Sequence, residues 1–277
     1  MAASLQTLLL TGAAGTLGRA LTPVLQRPGR RLRVSDLAAA LAGVQALQPA
    51  PEGVEVVPCE LADAAAVHGL LYGVDAVVHL GGISVEGPWE PILQANIRGL
   101  HNLYEAARRH GVKRIVFASS NHVTGCYPRS QTLTPQDPPR PDGNYGLSKL
   151  FGEGIARLYW DRFGVETVCL RIGTATPTPP DRRGLSTWLS RPDLARLVEC
   201  SLAAPGVGCL VAYGMSDNTR AFWNTKEAWS RLGFVPQDNA ETFAAQVEHL
   251  QQPEGPQREL QGGSFVCAGP HDDGPVA

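Results

Sequence analysis

Short apolar runs alternate with longer amphipathic stretches along this chain, and turn residues close each run. Leu5–Thr11 is an apolar strand candidate that ends in a glycine-rich turn, and Thr16–Gln26 follows with helical spacing. Leu32–Ser35 is a second strand ending at Asp36, and Val54–Pro58 a third. Asp63 is placed to cap a helix over Ala64–Tyr72. Asp75–Leu80 is a fourth strand, stopped by Gly81-Gly82. A long helix is expected from Pro88 to His110, with Pro near its start and Gly111 after its end. Arg114–Ser119 is the fifth strand, Gly146–Phe163 a helix, and Val165–Ile172 the sixth strand. Parallel neighbours need crossover helices, so six strands alternating with helices predict a doubly wound, Rossmann-type parallel α/β sheet. Residues 1–172 would form this dinucleotide-binding core, and 173–277 a smaller substrate-binding part integrated with it. Gln251–Ala277, rich in Gln, Pro and Gly, has the composition of a solvated tail.

Composition narrows the class of protein. The 277 residues are 43% hydrophobic and 18% charged, enough for one large domain with a full core. A net charge of -2 gives no electrostatic case for nucleic acid or anionic membrane. No apolar run is long enough to span a bilayer, and no signal-peptide pattern opens the chain. Six scattered cysteines form neither a C-x-x-C pair nor a metal-ligand spacing. No metal is expected, and reduced thiols in a cytoplasmic protein are.

Two motifs carry the chemistry. Gly12-x-x-Gly15-x-x-Gly18 sits between a strand and a helix, where free backbone N–H groups can hold a pyrophosphate. Asp36 ends the next strand, 24 residues after Gly12, in reach of the adenosine ribose hydroxyls. Its charge disfavours a 2′-phosphate and so favours NAD over NADP. Glu60 and Leu61, after the third strand, would lie beside the adenine. Tyr145 and Lys149, four residues apart, share one helical face. A free Tyr has a pKa of ~10, and the Lys charge would favour its phenolate. Ser120, at the carboxyl end of the fifth strand, could hold the substrate oxygen while Tyr145 takes the proton. His79, inside a strand, reads as a core histidine. Trp188, Trp223 and Trp229 read as core or interface aromatics.

The stretch Thr11–Gly18 with Asp36, Ser120 and Tyr145-x-x-x-Lys149 resembles the extended short-chain dehydrogenase/reductase superfamily. His79-Leu-Gly-Gly-Ile-Ser84, Phe117-Ala-Ser-Ser-Asn-His122, Arg140-Pro-Asp-Gly143, Leu185-Ser-Thr-Trp188 and Gln261-Gly-Gly-Ser-Phe265 narrow the resemblance to bacterial uronate dehydrogenases. That resemblance covers essentially the whole chain. It implies NAD-dependent oxidation of C1 of cyclic glucuronate or galacturonate to the aldaro-lactone, in a homo-oligomer. Carried over, Tyr145 is the base, Lys149 its activator and Ser120 the third catalytic group. The cofactor would meet Gly12, Gly15, Thr16, Leu17, Gly18, Asp36, Leu37, Glu60, Leu61, Leu80, Gly81, Gly82 and Lys149. Ser84, Ser120, Asn121, His122, Tyr145, Thr174, Arg183 and Phe265 would line the sugar site. Thr174 stands where relatives often have Ser, and Glu60 where many have Asp. The chemistry is apt: a uronate needs several polar partners and one cation, and Arg offers a planar fork for its carboxylate. A nucleotide-sugar epimerase or dehydratase uses the same Tyr and Lys, but only about a hundred residues follow the sixth strand. A third reading is a non-catalytic NAD(P)-sensing regulator.

Overall fold

A computed structural model of the chain describes residues 7–47 and 52–271. The start of the expected first strand, Leu5–Gln6, lies outside them. In chain order the elements are β1 (Thr7–Thr11), α1 (Thr16–Leu25), β2 (Arg31–Ser35), α2 (Ala38–Leu47), β3 (Val54–Val56), α3 (Ala64–Leu70), β4 (Ala76–His79), α4 (Trp89–Ile92) and α5 (Gly99–His110). There follow β5 (Arg114–Ser120), α6 (Asn144–Phe163), β6 (Glu166–Ile172), α7 (Gly184–Thr187), α8 (Arg191–Ala203), β7 (Cys209–Gly214), α9 (Lys226–Leu232), α10 (Ala244–Val247) and α11 (Pro256–Glu259). The strands make one parallel sheet in the order β3-β2-β1-β4-β5-β6-β7. The expected parallel sheet is present and has one strand more, β7, beyond the six anticipated. Among the described residues no helix is long and apolar enough to cross a membrane.

Alternate residues of each strand feed two separate cores, as the pleat requires. Leu8, Leu10, Val78 and Val116 meet Leu21 and Leu25 of α1 and Leu194 and Leu197 of α8 on one face. Leu9, Val77, Ile115 and Phe117 meet Val67 of α3, Leu103 of α5 and Ile155 of α6 on the other. Every residue of β1 and β4 is buried, which explains why neither alternates apolar and polar positions. Each such buried Leu or Val contributes about 1.5–3 kcal/mol relative to exposure. The strand order reverses beside β1, with β2 on one side and β4 on the other. A crevice opens at the carboxyl ends of those strands, the usual ligand position in such sheets.

Three boundaries differ from the sequence expectation, each for a tertiary reason. The long helix before Gly111 runs as α4, a π-helical turn over Leu93–Arg98 and α5. In that turn Asn96 is buried, accepting from Ile83 N and donating to Ile83 O and to Ser148 Oγ. Helix α6 begins two residues before the expected Gly146, because Glu86 accepts hydrogen bonds from Asn144 N (3.0 Å) and Tyr145 N (2.8 Å). A carboxylate there suits the helix dipole. Composition alone misleads for residues 256–267, which are docked on the body as the resemblance implied for Phe265; residues 272–277 lie outside the described part. Gln261 is fully buried, accepting from Trp223 Nε1 (2.8 Å) and donating to Pro128 O and Gln131 O. Asp63 caps α3 as expected, accepting from Ala65 N and Ala66 N.

Candidate active site

The crevice is a cavity of about 500 Å³. On one wall stand Gly12, Gly15, Thr16, Leu17 and Gly18 of the glycine turn, with Asp36 and Leu80. The turn is tight because only glycine fits it. Gly12 has φ +71°, and a Cβ there would fall 2.6 Å from the Leu80 carbonyl carbon; one at Gly18 would fall 2.2 Å from Gly12 O. Gly15, the residue before α1, provides no side-chain cap, so the first N–H groups of α1 are left for a ligand. The Asp36 carboxylate is pinned by Ala14 N (2.9 Å) and Leu37 N (2.8 Å). These residues fit a dinucleotide: a pyrophosphate cradle and a fixed carboxylate lining the same cavity. Leu37 is exposed at the rim, and Glu60 is exposed with Oε1 accepting from Ala62 N. Leu61 packs where a Cβ on Gly81 or Gly99 would lie, so it backs the cavity without lining it.

The other wall holds Ser84, Ser120, Asn121, His122, Tyr145, Lys149 and Phe265, all anticipated, together with Gly82. Gly81 stands behind, its N–H donating to Thr11 Oγ1. Tyr145 and Lys149 come from the first turns of α6, held close to the sheet at Gly152, where a Cβ would fall 2.3 Å from the Phe117 ring. Burial pushes the Tyr145 phenol up to about 12, opposed by its hydrogen bond with Ser120 and reinforced by Asp142. Burial likewise brings the Lys149 ammonium down to about 8. Its Nζ lies 5.1 Å from the Phe117 ring centre and 5.5 Å from that of Tyr145. His79 is indeed a core group. It hydrogen-bonds Thr11 Oγ1 at 2.7 Å, and burial, then the Lys149 charge, push it down to about 3.

Arg183 and Thr174 stand one layer behind the wall. Arg183 donates Nε to Gln261 O (2.8 Å) and Nη1 to Thr174 Oγ1 (3.4 Å). With the Asn121 amide turned to satisfy its neighbours, Asn121 accepts from Arg183 Nη2 (2.9 Å) and donates to Ile172 O. Among the described residues no carboxylate lies within ion-pair distance of Arg183; burial, then the nearby Arg129, bring it down to about 10. Thr174 is tied to Thr187 Oγ1 at 2.7 Å, a loop contact with no face on the cavity. Phe265, from a segment whose composition alone suggests solvation, stacks on His122 at 4.0 Å and 15°.

Sequence reasoning missed several groups. Ala118, Ser119, Ile172, Gly173, Ala175 and Thr176 also line the cavity, and their position at the carboxyl ends of β5 and β6 was a usable signal. Glu153 and Arg171 had no such signal. They form a buried pair (2.8 and 2.9 Å) that also takes Ser119 Oγ (2.7 Å), locking α6 to β5 and β6 beside Ser120. Asp142, bonded to His122 Nδ1 at 2.7 Å, was seen only as part of a motif.

Residues 8–186 match the model of the NAD dependent epimerase/dehydratase family. The chain is 50% identical over 268 residues to a uronate dehydrogenase of Pseudomonas syringae pv. tomato, covering 96% of this chain and 95% of that one. A crystal structure of a glucuronic acid dehydrogenase from Chromohalobacter salexigens superposes with a TM-score of 0.91 at 46% identity, covering 98% and 100% of the two chains. A uronate dehydrogenase from Agrobacterium tumefaciens, a Tyr-to-Ala mutant complexed with NAD, gives 0.88 at 48%, covering 96% and 98%. With such similarity sustained from the glycine turn to the docked tail, the chain belongs to the uronate dehydrogenases, within the NAD dependent epimerase/dehydratase family.

Proposed function

We propose that the enzyme oxidises a hexuronic acid, glucuronate or galacturonate, at C1 to the aldaro-lactone with NAD+. The observation that carries this is the single cavity in which the glycine turn and Asp36 face the Ser120, Tyr145 and Lys149 group. When bound, NAD+ accepts the hydride that leaves C1. Ser120 and Tyr145 hold the C1 hydroxyl, and Tyr145 takes its proton as the C1 carbonyl forms. Burial alone would keep Tyr145 a phenol, so its use as a base depends on positive charge drawn close to it. Lys149, on the same helical face and protonated below about 8, supplies that charge. Its ammonium would also hold the cofactor ribose when NAD+ is bound. Ser84, Asn121 and His122 offer polar contacts to the sugar hydroxyls, and Arg183 neutralises the C6 carboxylate across Asn121.

The free cysteines support a reducing cytoplasm, and the homo-oligomer that the resemblance implies would be sized by sedimentation. The deciding test is NADH absorbance on mixing the protein, NAD+ and either uronate. Cofactor binding without NADH formation on either sugar would remove the dehydrogenase reading. Tyr145→Phe is expected to keep NAD+ binding and lose about 10²–10⁴ in kcat, the usual worth of a positioned proton acceptor. A near-normal Phe variant would remove Tyr145 as the base.

A further inference from the structure

The wall of the cavity that meets the sugar conceals a carboxylate the reaction as described leaves unused. Asp142 precedes α6 by two residues, and its side chain is 0% exposed. Oδ2 accepts from His122 Nδ1 at 2.7 Å, while Oδ1 is buried with no partner. Three glycines make the space. A Cβ at Gly125 or Gly262 would fall 1.8 or 1.9 Å from Oδ2, and one at Gly146 would fall 3.0 Å from Oδ1. A buried carboxylate is expensive to keep, and three positions from three segments are kept small around this one.

We propose that Asp142 is a positioning residue: it fixes the proton of His122 on Nδ1 and so presents Nε2 to the cavity as a hydrogen-bond acceptor for a sugar hydroxyl. This rests on the cavity being the uronate site. An ionised carboxylate only accepts, so Nδ1 must carry the hydrogen, and the neutral ring then has its lone pair on Nε2. The contact with Asp142 selects this orientation of the ring, because turning it over would set a C–H against the carboxylate. Phe265 is stacked on one face at 4.0 Å, and Tyr145 meets it edge-on at 5.7 Å. His122 lines the cavity, and with Nδ1 spent on Asp142 its other nitrogen is the one left for substrate. An acceptor at this point selects a hydroxyl and opposes an oxyanion, leaving the carboxylate to Arg183. The sugar is thereby given one orientation.

Asp142→Asn keeps the volume but lets the amide donate to Nδ1, which drives the proton to Nε2. We expect kcat/KM for glucuronate to fall roughly 10- to 100-fold, the scale of one mispaired buried hydrogen bond. The NAD+ Kd and Tm should change little. In a His122→Gln background the same substitution should cost less than about threefold, because the residue it acts through is gone. Equal factors in both backgrounds, or a parallel loss of NAD+ affinity, would make Asp142 merely structural and overturn the proposal. A second measurement needs no Asp142 variant. ¹⁵N NMR of histidine-labelled protein, with His122 assigned by its loss in His122→Gln, reads the tautomer directly. A proton on Nδ1 is expected, and one on Nε2 of the neutral ring would overturn the assignment. That spectrum is independent of turnover, so absence of activity on uronates would count against the substrate reading and not against the tautomer.

Discussion

Arg183 is half-buried and bonded to a carbonyl, a hydroxyl and an amide, and among the described residues it has no carboxylate within ion-pair distance. A substrate carboxylate would supply the missing anion. Truncating one member of a dry, direct charge pair costs about 2–5 kcal/mol; Arg183 acts from behind Asn121, so Arg183→Ala should lower uronate kcat/KM by less than that while NAD+ binding holds. Arg183→Lys should recover only part, since the point charge returns without the fork. Steady-state kinetics on glucose and galactose give the control: equal losses there would make Arg183 a loop support. Asp36 makes a second residue-scale prediction. Two backbone N–H groups hold its carboxylate, so it cannot swing away from a 2′-phosphate. Asp36→Ala should weaken NAD+ and narrow the preference over NADP+; an unmodified enzyme preferring NADP+ would refute this. Both residues were visible in the sequence as types with a job. The partners that fix their geometry were not, because Asn121 and Gln261 reach Arg183 only through the fold.

At the scale of elements, the segment 256–267 matters most. Its composition suggested solvation, yet Gln261 is enclosed by Trp223, Pro128 and Gln131, and its carbonyl takes Arg183 Nε. The same segment delivers Phe265 to the His122 ring. Ending the chain at Gln252 should therefore abolish uronate turnover and also destabilise the fold by roughly 3 kcal/mol or more, given at least three buried hydrogen bonds lost. Thermal unfolding with parallel kinetics would show both, and normal turnover would return the segment to the status of an extension. Helix α6 was legible from its period, and its first turn was not: the cap that brings Tyr145 into the helix is Glu86, from a distant loop. Strand β7 was left out of the six although Cys209 read as lying in or beside a strand; Cys209 and Val211 within it are only partly buried, so its apolar signal is weaker than that of the central strands.

Over the whole molecule, catalytic readiness and stability oppose each other at Lys149. Burial lowers its ammonium from the usual 10.5 to about 8, so below pH 8 the folded protein carries the full cost of that buried charge. Between pH 8 and 10.5 the folded state releases the proton while the unfolded state retains it, and stability contributed at this site rises. Lys149→Met removes the cost. It should raise stability at pH 7 by on the order of 2 kcal/mol, with the gain fading as pH approaches 10.5, and should abolish turnover. Denaturation at several pH values checks the sign; a variant less stable at every pH would show that the contacts of Lys149 with Phe117 and Tyr145 outweigh desolvation. The sequence by itself determined the parallel α/β architecture, the dinucleotide turn and the Tyr145–Lys149 pair. Each of these is written in local periodicity or in the spacing of a few neighbouring residues. Tertiary structure alone decided the docking of the tail, the buried Glu153–Arg171 lock, the hydrogen-bond partners of Arg183 and the meeting of Asp142 with His122. Those depend on which distant side chains share a desolvated space, and no spacing along the chain encodes that.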